Sequence, residues 1–211
     1  MLKLYSAQIC PFAQRTRALL AHLDVPFELY EVDLQDRDPE FLAQSPTGRV
    51  PMLVDDDFRL YESQVINEYL AETQGWTNAL SSDTRLRAHQ RLAMKQWDEI
   101  VVDAFYDSMR AGGTIDSERR DRIGRELDEL ATTVGAGEDT IATLLAFHCA
   151  PHWARMDWLR RVTSLAELID ERPVLHTWMQ RTLKIKAVRD TLPERQRTVA
   201  RYEERYAAAA P

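Results

Sequence analysis

Two short runs of alternating apolar and polar residues, Leu2-Lys3-Leu4-Tyr5 and Phe27-Glu28-Leu29-Tyr30-Glu31-Val32, predict β-strands. The amphipathic stretch Pro11 to Leu23 between them predicts a helix, and the three elements together make a parallel βαβ unit. Asp38-Pro39-Glu40-Phe41-Leu42 then opens a short helix. Pro51-Met52-Leu53-Val54 and Phe58-Arg59-Leu60-Tyr61 flank the polar turn Asp55-Asp56-Asp57, which predicts an antiparallel hairpin. From Glu62 to Glu72, Val65, Ile66, Tyr69 and Leu70 recur at the spacing of a helix with one buried face. The predicted order is β-α-β-α-β-β-α.

Beyond Leu80 the pattern is helical almost throughout. Leu86, Leu92, Trp97, Ile100, Val101 and Phe105 imply one long helix ended by Gly112-Gly113. Further helices are expected at about Ser117 to Val134, Thr140 to Arg155, Ser164 to Glu171, Pro173 to Leu183 and Glu194 to Tyr206, with Pro151 bending or shortening its helix. Gln74-Gly75-Trp76-Thr77-Asn78 reads as a connector, so the expected domains are residues 1–76 and 82–211.

The chain has 211 residues, 45% hydrophobic and 29% charged, with a net charge of −7. That balance argues against a nucleic-acid binder, which needs clustered Lys and Arg. Arg119-Arg120 and Arg160-Arg161 lie among acids or in helical pattern, as solvated helix faces do. Neither a signal-like start nor a long apolar run is present, so a soluble cytosolic protein without membrane contact is expected. Cys10 and Cys149 make no disulfide framework, and no structural zinc or other metal site is expected. His148, Cys149 and His152 cluster inside the apolar run Leu144 to Trp158, which suits a packed helix near a pocket better than a metal site.

Cys10 carries the chemistry. It follows the first strand and precedes Pro11, which suits the first helical turn because proline needs no N–H partner there, so Cys10 falls at or beside the N-cap. Free backbone N–H groups and the helix dipole favour a thiolate at that place, and Arg15 and Arg17 add positive charge. Most lone cysteines are inert apolar residues; this position argues for a reactive one.

Cys10-Pro11-Phe12-Ala13-Gln14-Arg15 resembles the active-site motif of omega-class glutathione transferases and plant dehydroascorbate reductases. Arg49-Val50-Pro51 resembles the segment with that family's cis-proline, and Tyr61-Glu62-Ser63 its glutamyl-binding turn. Gln44-Ser45-Pro46-Thr47-Gly48 stands in place of the usual Asn-Pro-x-Gly loop. The resemblance covers residues 2 to 73 by motif, and the rest by helical pattern and length. It implies an α/β thioredoxin-like N-terminal domain with a mixed sheet, followed by an all-α helical domain that contributes the acceptor pocket. It also implies glutathione as cosubstrate, Cys10 as catalytic residue, a homodimer, and Phe12, Arg37, Val50, Pro51, Glu62 and Ser63 as glutathione contacts.

Elementary chemistry gives several of these residues a task. Ser63, opening a helix, can present its hydroxyl and N–H to the γ-glutamyl carboxylate, and Glu62 can hold the amine. Val50, extended before Pro51, can pair by backbone with the cysteinyl residue. Arg37 matches a basic residue near the glycyl carboxylate, and reads equally as a solvated arginine amid Asp33, Asp36 and Asp38. Trp97, Phe105, Tyr106, His148 and Trp153 are candidates for lining an acceptor pocket that takes a small, apolar molecule.

With Ala13 where a dithiol enzyme has a second cysteine, the resemblance favours a monothiol route: a Cys10-glutathione mixed disulfide, acting on small disulfides, dehydroascorbate or glutathionyl conjugates. Conjugation of glutathione to electrophiles, with Tyr5 or Ser6 as hydroxyl, is the enzyme alternative. A non-catalytic protein that binds RNA polymerase, like bacterial stringent-starvation proteins, is the alternative from another class. One departure concerns stability. Thr140-Ile141-Ala142-Thr143 has Thr where relatives carry a helix-capping Asp, and Thr caps more weakly.

Overall fold

The computed structural model describes residues 1–137 and 141–207. Its sheet has four strands, β1 (Leu2–Ser6), β2 (Phe27–Glu31), β3 (Met52–Asp55) and β4 (Phe58–Tyr61), in the order β2-β1-β3-β4. β1 and β2 run parallel, with Leu4 opposite Leu29; β3 lies antiparallel to both β1 and β4. Helices α1 (Pro11–His22), α2 (Pro39–Gln44) and α3 (Ser63–Thr73) complete the β-α-β-α-β-β-α order expected from the pattern. Asp38 caps α2 by accepting from Glu40 N at 2.6 Å. Because side chains alternate across a strand, Leu4 and Leu53 join the core on one face, with Ile66 and Leu70 of α3. Met52 and Val54 join Phe41 of α2 on the other.

The helical region comprises α4 (Thr84–Gln96), a π-helical stretch Trp97–Val102, α5 (Asp103–Arg110), α6 (Ser117–Gly135), α7 (Leu144–Trp158), α8 (Leu165–Asp170), α9 (Pro173–Thr182), α10 (Lys186–Asp190) and α11 (Arg195–Ala207). The expected single long helix is therefore present, with a widened turn in its middle of the kind often found at functional sites. Gly113 is needed just after it: φ is +91°, and a Cβ there would stand 2.0 Å from the Val162 carbonyl oxygen.

Three details differ from the sequence reading. α7 begins at Leu144 because Thr143 is its N-cap, accepting from Ala146 N at 3.3 Å; Thr140 lies outside the described residues. Pro151 does not shorten α7, which continues to Trp158. The five residues of α10 are too few to reveal a helical period in the sequence.

α1 packs directly on α7, and one continuous apolar cluster runs from Leu4, Leu53 and Ile66 through Trp97 and Phe105 to Phe147 and Trp153. The seam between the two regions is core, and every charged group caught in it must find a partner. Among the described residues, no helix is long and apolar enough to cross a membrane.

Candidate active site

Cys10 closes the turn after β1. Its N–H donates to Ala7 O at 3.0 Å, its backbone is extended (φ −72°, ψ 118°), and α1 starts at Pro11. It is the N-cap of α1, as the Cys-Pro pair predicts. The thiol makes no capping bond; Sγ instead lies 3.9 Å from the Val50 carbonyl oxygen, and the Val50–Pro51 peptide bond is cis.

Ser63 is the first residue of α3 and is buried. Its predecessor Glu62 has φ 69°, a left-handed conformation that costs a non-glycine residue of order 1–3 kcal/mol. The Glu62 side chain is exposed and makes no capping bond. Arg15 Nη1 donates to Ser63 Oγ at 3.2 Å, which leaves the hydroxyl proton free to donate elsewhere. Cys10 thus meets Val50 directly, while Ser63 is tied by Arg15 to the helix that Cys10 caps. Phe12 packs its ring 4.8 Å from the Arg15 guanidinium and 4.6 Å from the His152 ring. Arg37 is exposed in the loop between β2 and α2, apart from this cluster.

Arg15 is fully buried and fully partnered. Nη1 and Nη2 engage both Asp98 oxygens at 3.0 and 2.5 Å, Nε donates to His148 O at 2.8 Å, and Nη2 meets His152 Nδ1 at 3.2 Å. Since a guanidinium only donates, His152 Nδ1 is the acceptor and Nε2 bears the proton. Burial, then Arg15, push His152 far below its ordinary pKa, so the ring is neutral. Burial alone would raise the Asp98 carboxyl, but Arg15 and then His148 hold it well below the usual carboxylate range.

Two further arginines flank Cys10. Arg17 donates to Ser6 Oγ and to the carbonyls of Ala7 and Gln8, both at 3.0 Å, and burial lowers its pKa to about 10. Arg155, on α7 and wholly buried, donates to Gln14 Oε1, to Pro151 O at 2.9 Å and to Ile9 O at 3.3 Å. Tyr202 of α11 lies near Arg155, and Tyr106 of α5 lies near Tyr202. Burial raises both phenols.

The thiol itself departs from expectation. Burial raises the Cys10 pKa; the Ala13 and Phe12 N–H groups, Arg155 and Arg17 oppose that rise without cancelling it. Arg15, read from the sequence as a second local cation, is spent on Asp98 instead. Of the five residues suggested for the acceptor pocket, Tyr106 reaches the surroundings of Cys10 and His148 joins the Arg15 network, whereas Trp97, Phe105 and Trp153 are packed in the core. The sequence reading set His152 on a packed helix near a pocket without giving it a role, and missed Asp98, Arg155 and Tyr202 as neighbours of the site. Arg155 alone carried a cue, as the one charged residue between Leu144 and Met156. Cys149 is fully buried, and burial raises its thiol well above the ordinary value. Among the described residues, no cluster of His, Cys, Asp and Glu could hold a metal ion.

Known proteins share this chain's sequence pattern and fold. Residues 4–78 match the family described as glutathione S-transferase, N-terminal domain. The chain is similar to glutathione S-transferase omega-1 of Sus scrofa, 25% identical over 89% of this chain and 79% of that one. It is also similar to a glutathione S-transferase of Hyoscyamus muticus, 28% identical over 84% and 91%. In fold it resembles the crystal structure of glutathione transferase Omega 1C from Trametes versicolor, with a TM-score of 0.82 at 19% identity, covering 100% of this chain and 98% of that one.

Proposed function

With a glutathione S-transferase N-terminal domain over residues 4–78 and omega-class relatives along its length, we propose that this chain is a glutathione-dependent thiol transferase in which Cys10 is the nucleophile. The observation that carries the reading is the place of Cys10: N-cap of α1, its Sγ beside Val50 O and next to cis-Pro51, with Ser63 tied to the same helix by Arg15. Residues 1–76 form the glutathione-binding domain in this reading, and residues 82–211 supply the acceptor side.

The binding roles follow from donors and acceptors. Ser63, with its hydroxyl proton free, and the N–H groups opening α3 receive the γ-glutamyl carboxylate; exposed Glu62 takes the amine. Val50 pairs with the cysteinyl backbone, Phe12 and Pro51 shape the sulfur's surroundings, and Arg37 swings to the glycyl carboxylate.

The reaction takes two steps. Cys10 loses its proton to solvent, and the thiolate attacks the glutathione sulfur of a mixed disulfide. The disulfide bond breaks, the substrate leaves as a thiolate that takes up a proton, and Cys10 is left bound to glutathione. A second glutathione thiolate then attacks that sulfur, forming oxidised glutathione and returning the Cys10 thiolate. Ala13 offers no second thiol, so the external thiol is required. The reading extends to a cytoplasmic homodimer, dehydroascorbate and glutathionyl conjugates as further substrates, and a small, largely apolar acceptor.

The test is glutathione-dependent reduction of the mixed disulfide of glutathione and mercaptoethanol. Activity is expected in the wild type and in Cys149→Ala, and only background in Cys10→Ser. A Cys10→Ser variant as active as the wild type, or a wild type without turnover, overturns the reading.

A further inference from the structure

We propose that Arg155, delivered by α7 from the helical region, is the cation that holds the negative charge of the Cys10 thiolate. The proposal rests on the thiol-transfer reading and adds a supporting residue that the α/β region does not contain.

The argument starts from an imbalance. A buried cation is normally paired with a carboxylate. Arg15 meets that rule through Asp98. Arg155 does not: it is wholly buried, all its hydrogen-bond partners are neutral oxygens, its Nε has no partner, and no described carboxylate lies within 4.0 Å. Its position is tightly held. The bond from Nη2 to Ile9 O places the guanidinium at the residue before Cys10, and Gln14, one helical turn beyond Cys10, grips Nη1. Three groups around this charge can become anions, Tyr202, Tyr106 and Cys10, and of these the thiol ionises most readily.

The other groups facing the thiol leave that task to Arg155 and Arg17. Half-buried Tyr106 from α5 and buried Tyr202 from α11 are phenols held neutral, and His152 on α7 is neutral and committed to Arg15. Arg17 shares its charge with Glu31 nearby. The same cation serves both chemical steps, because Cys10 carries negative charge before its attack and again when it leaves the mixed disulfide.

The test is the rate of Cys10 alkylation by iodoacetamide from about pH 6 to about pH 10, with the adduct assigned to Cys10 by mass spectrometry. In Arg155→Gln the midpoint is expected to rise by about one pH unit, which slows alkylation about tenfold at neutral pH. Arg155→Lys, which keeps the charge, is expected to restore most of the rate. A merely structural role would lower the melting temperature and leave the midpoint in place, so a folded Arg155→Gln with the wild-type midpoint overturns the proposal. Should that variant fail to fold, Gln14→Glu sets a carboxylate against Arg155, and an unmoved midpoint there overturns it equally. Alkylation uses no glutathione, so failure of this proposal and failure of the thiol-transfer reading give different results.

Discussion

Arg15 leaves α1 and Arg155 leaves α7 into the same apolar seam, yet the two ends of that seam treat their charges in opposite ways. Around Arg15, the widened turn at Trp97–Val102 presents Asp98, and the guanidinium is neutralised by both carboxylate oxygens and capped by His148, His152 and Ser63. Around Arg155 there are carbonyls, an amide oxygen and, nearby, a phenol, with no carboxylate among the described residues within 4.0 Å. A satisfied ion pair fastens two regions together. An unsatisfied cation beside a thiol keeps its field for the reaction, at some cost in stability.

The sharpest way to break the first end is Asp98→Ala. Arg15 would then be a buried charge without a counter-charge, and the unfolding free energy should fall by about 3 kcal/mol, at the low end of the range because Asp98 keeps 31% of its side chain exposed. Denaturant titration measures it. The same titration on Arg155→Gln should show a smaller loss of about 1 kcal/mol, since there hydrogen bonds go but no charge is orphaned. Equal losses would erase the distinction between the two ends.

Acid sharpens it further. The Asp98 carboxyl is depressed in the folded chain, so its contribution is full above the unfolded value near 4 and is lost as pH falls through and below it. Stability should therefore drop between about pH 5 and about pH 2 in the wild type, and Asp98→Asn should lose that part of the slope. Cys10 has the opposite consequence for rate. Burial raises its thiol, so turnover should climb with pH across the neutral range until the thiolate dominates, a trend that a pH profile of kcat/KM reads directly.

Ser63→Ala tests whether the fastened end also binds. Removing the hydroxyl should raise KM for glutathione about tenfold, with kcat nearly unchanged, and should cost at most about 1 kcal/mol of stability. The smallest effect belongs outside the seam. Thr143→Ala removes the α7 cap and should cost about 1 kcal/mol or less, while Cys10 alkylation keeps its pH midpoint.

How far this protein could be read from its sequence differed sharply between its two regions. The strands, α1 and the cap at Cys10 were legible because alternation, a Cys-Pro pair and the Asp triplet at the hairpin are local signals. In the helical region the long helix was legible but its π-helical turn was not, since nothing in Trp97 to Val102 departs from an ordinary helical stretch. Arg15 was misassigned for a related reason. Its closeness to Cys10 in sequence suggested a thiolate partner, whereas its direction on α1 is set by a carboxylate 83 residues away.

The sequence by itself determined the order of elements, the cysteine at the head of α1 and the absence of a second thiol beside it, because each depends on residues within a few positions of one another. Only the tertiary structure turned Arg15 away to Asp98 and brought Arg155 to the thiol beside Arg17. Charges in a buried seam are matched by distance in space, and Arg155, 145 positions from Cys10, comes to it solely because α7 packs on α1.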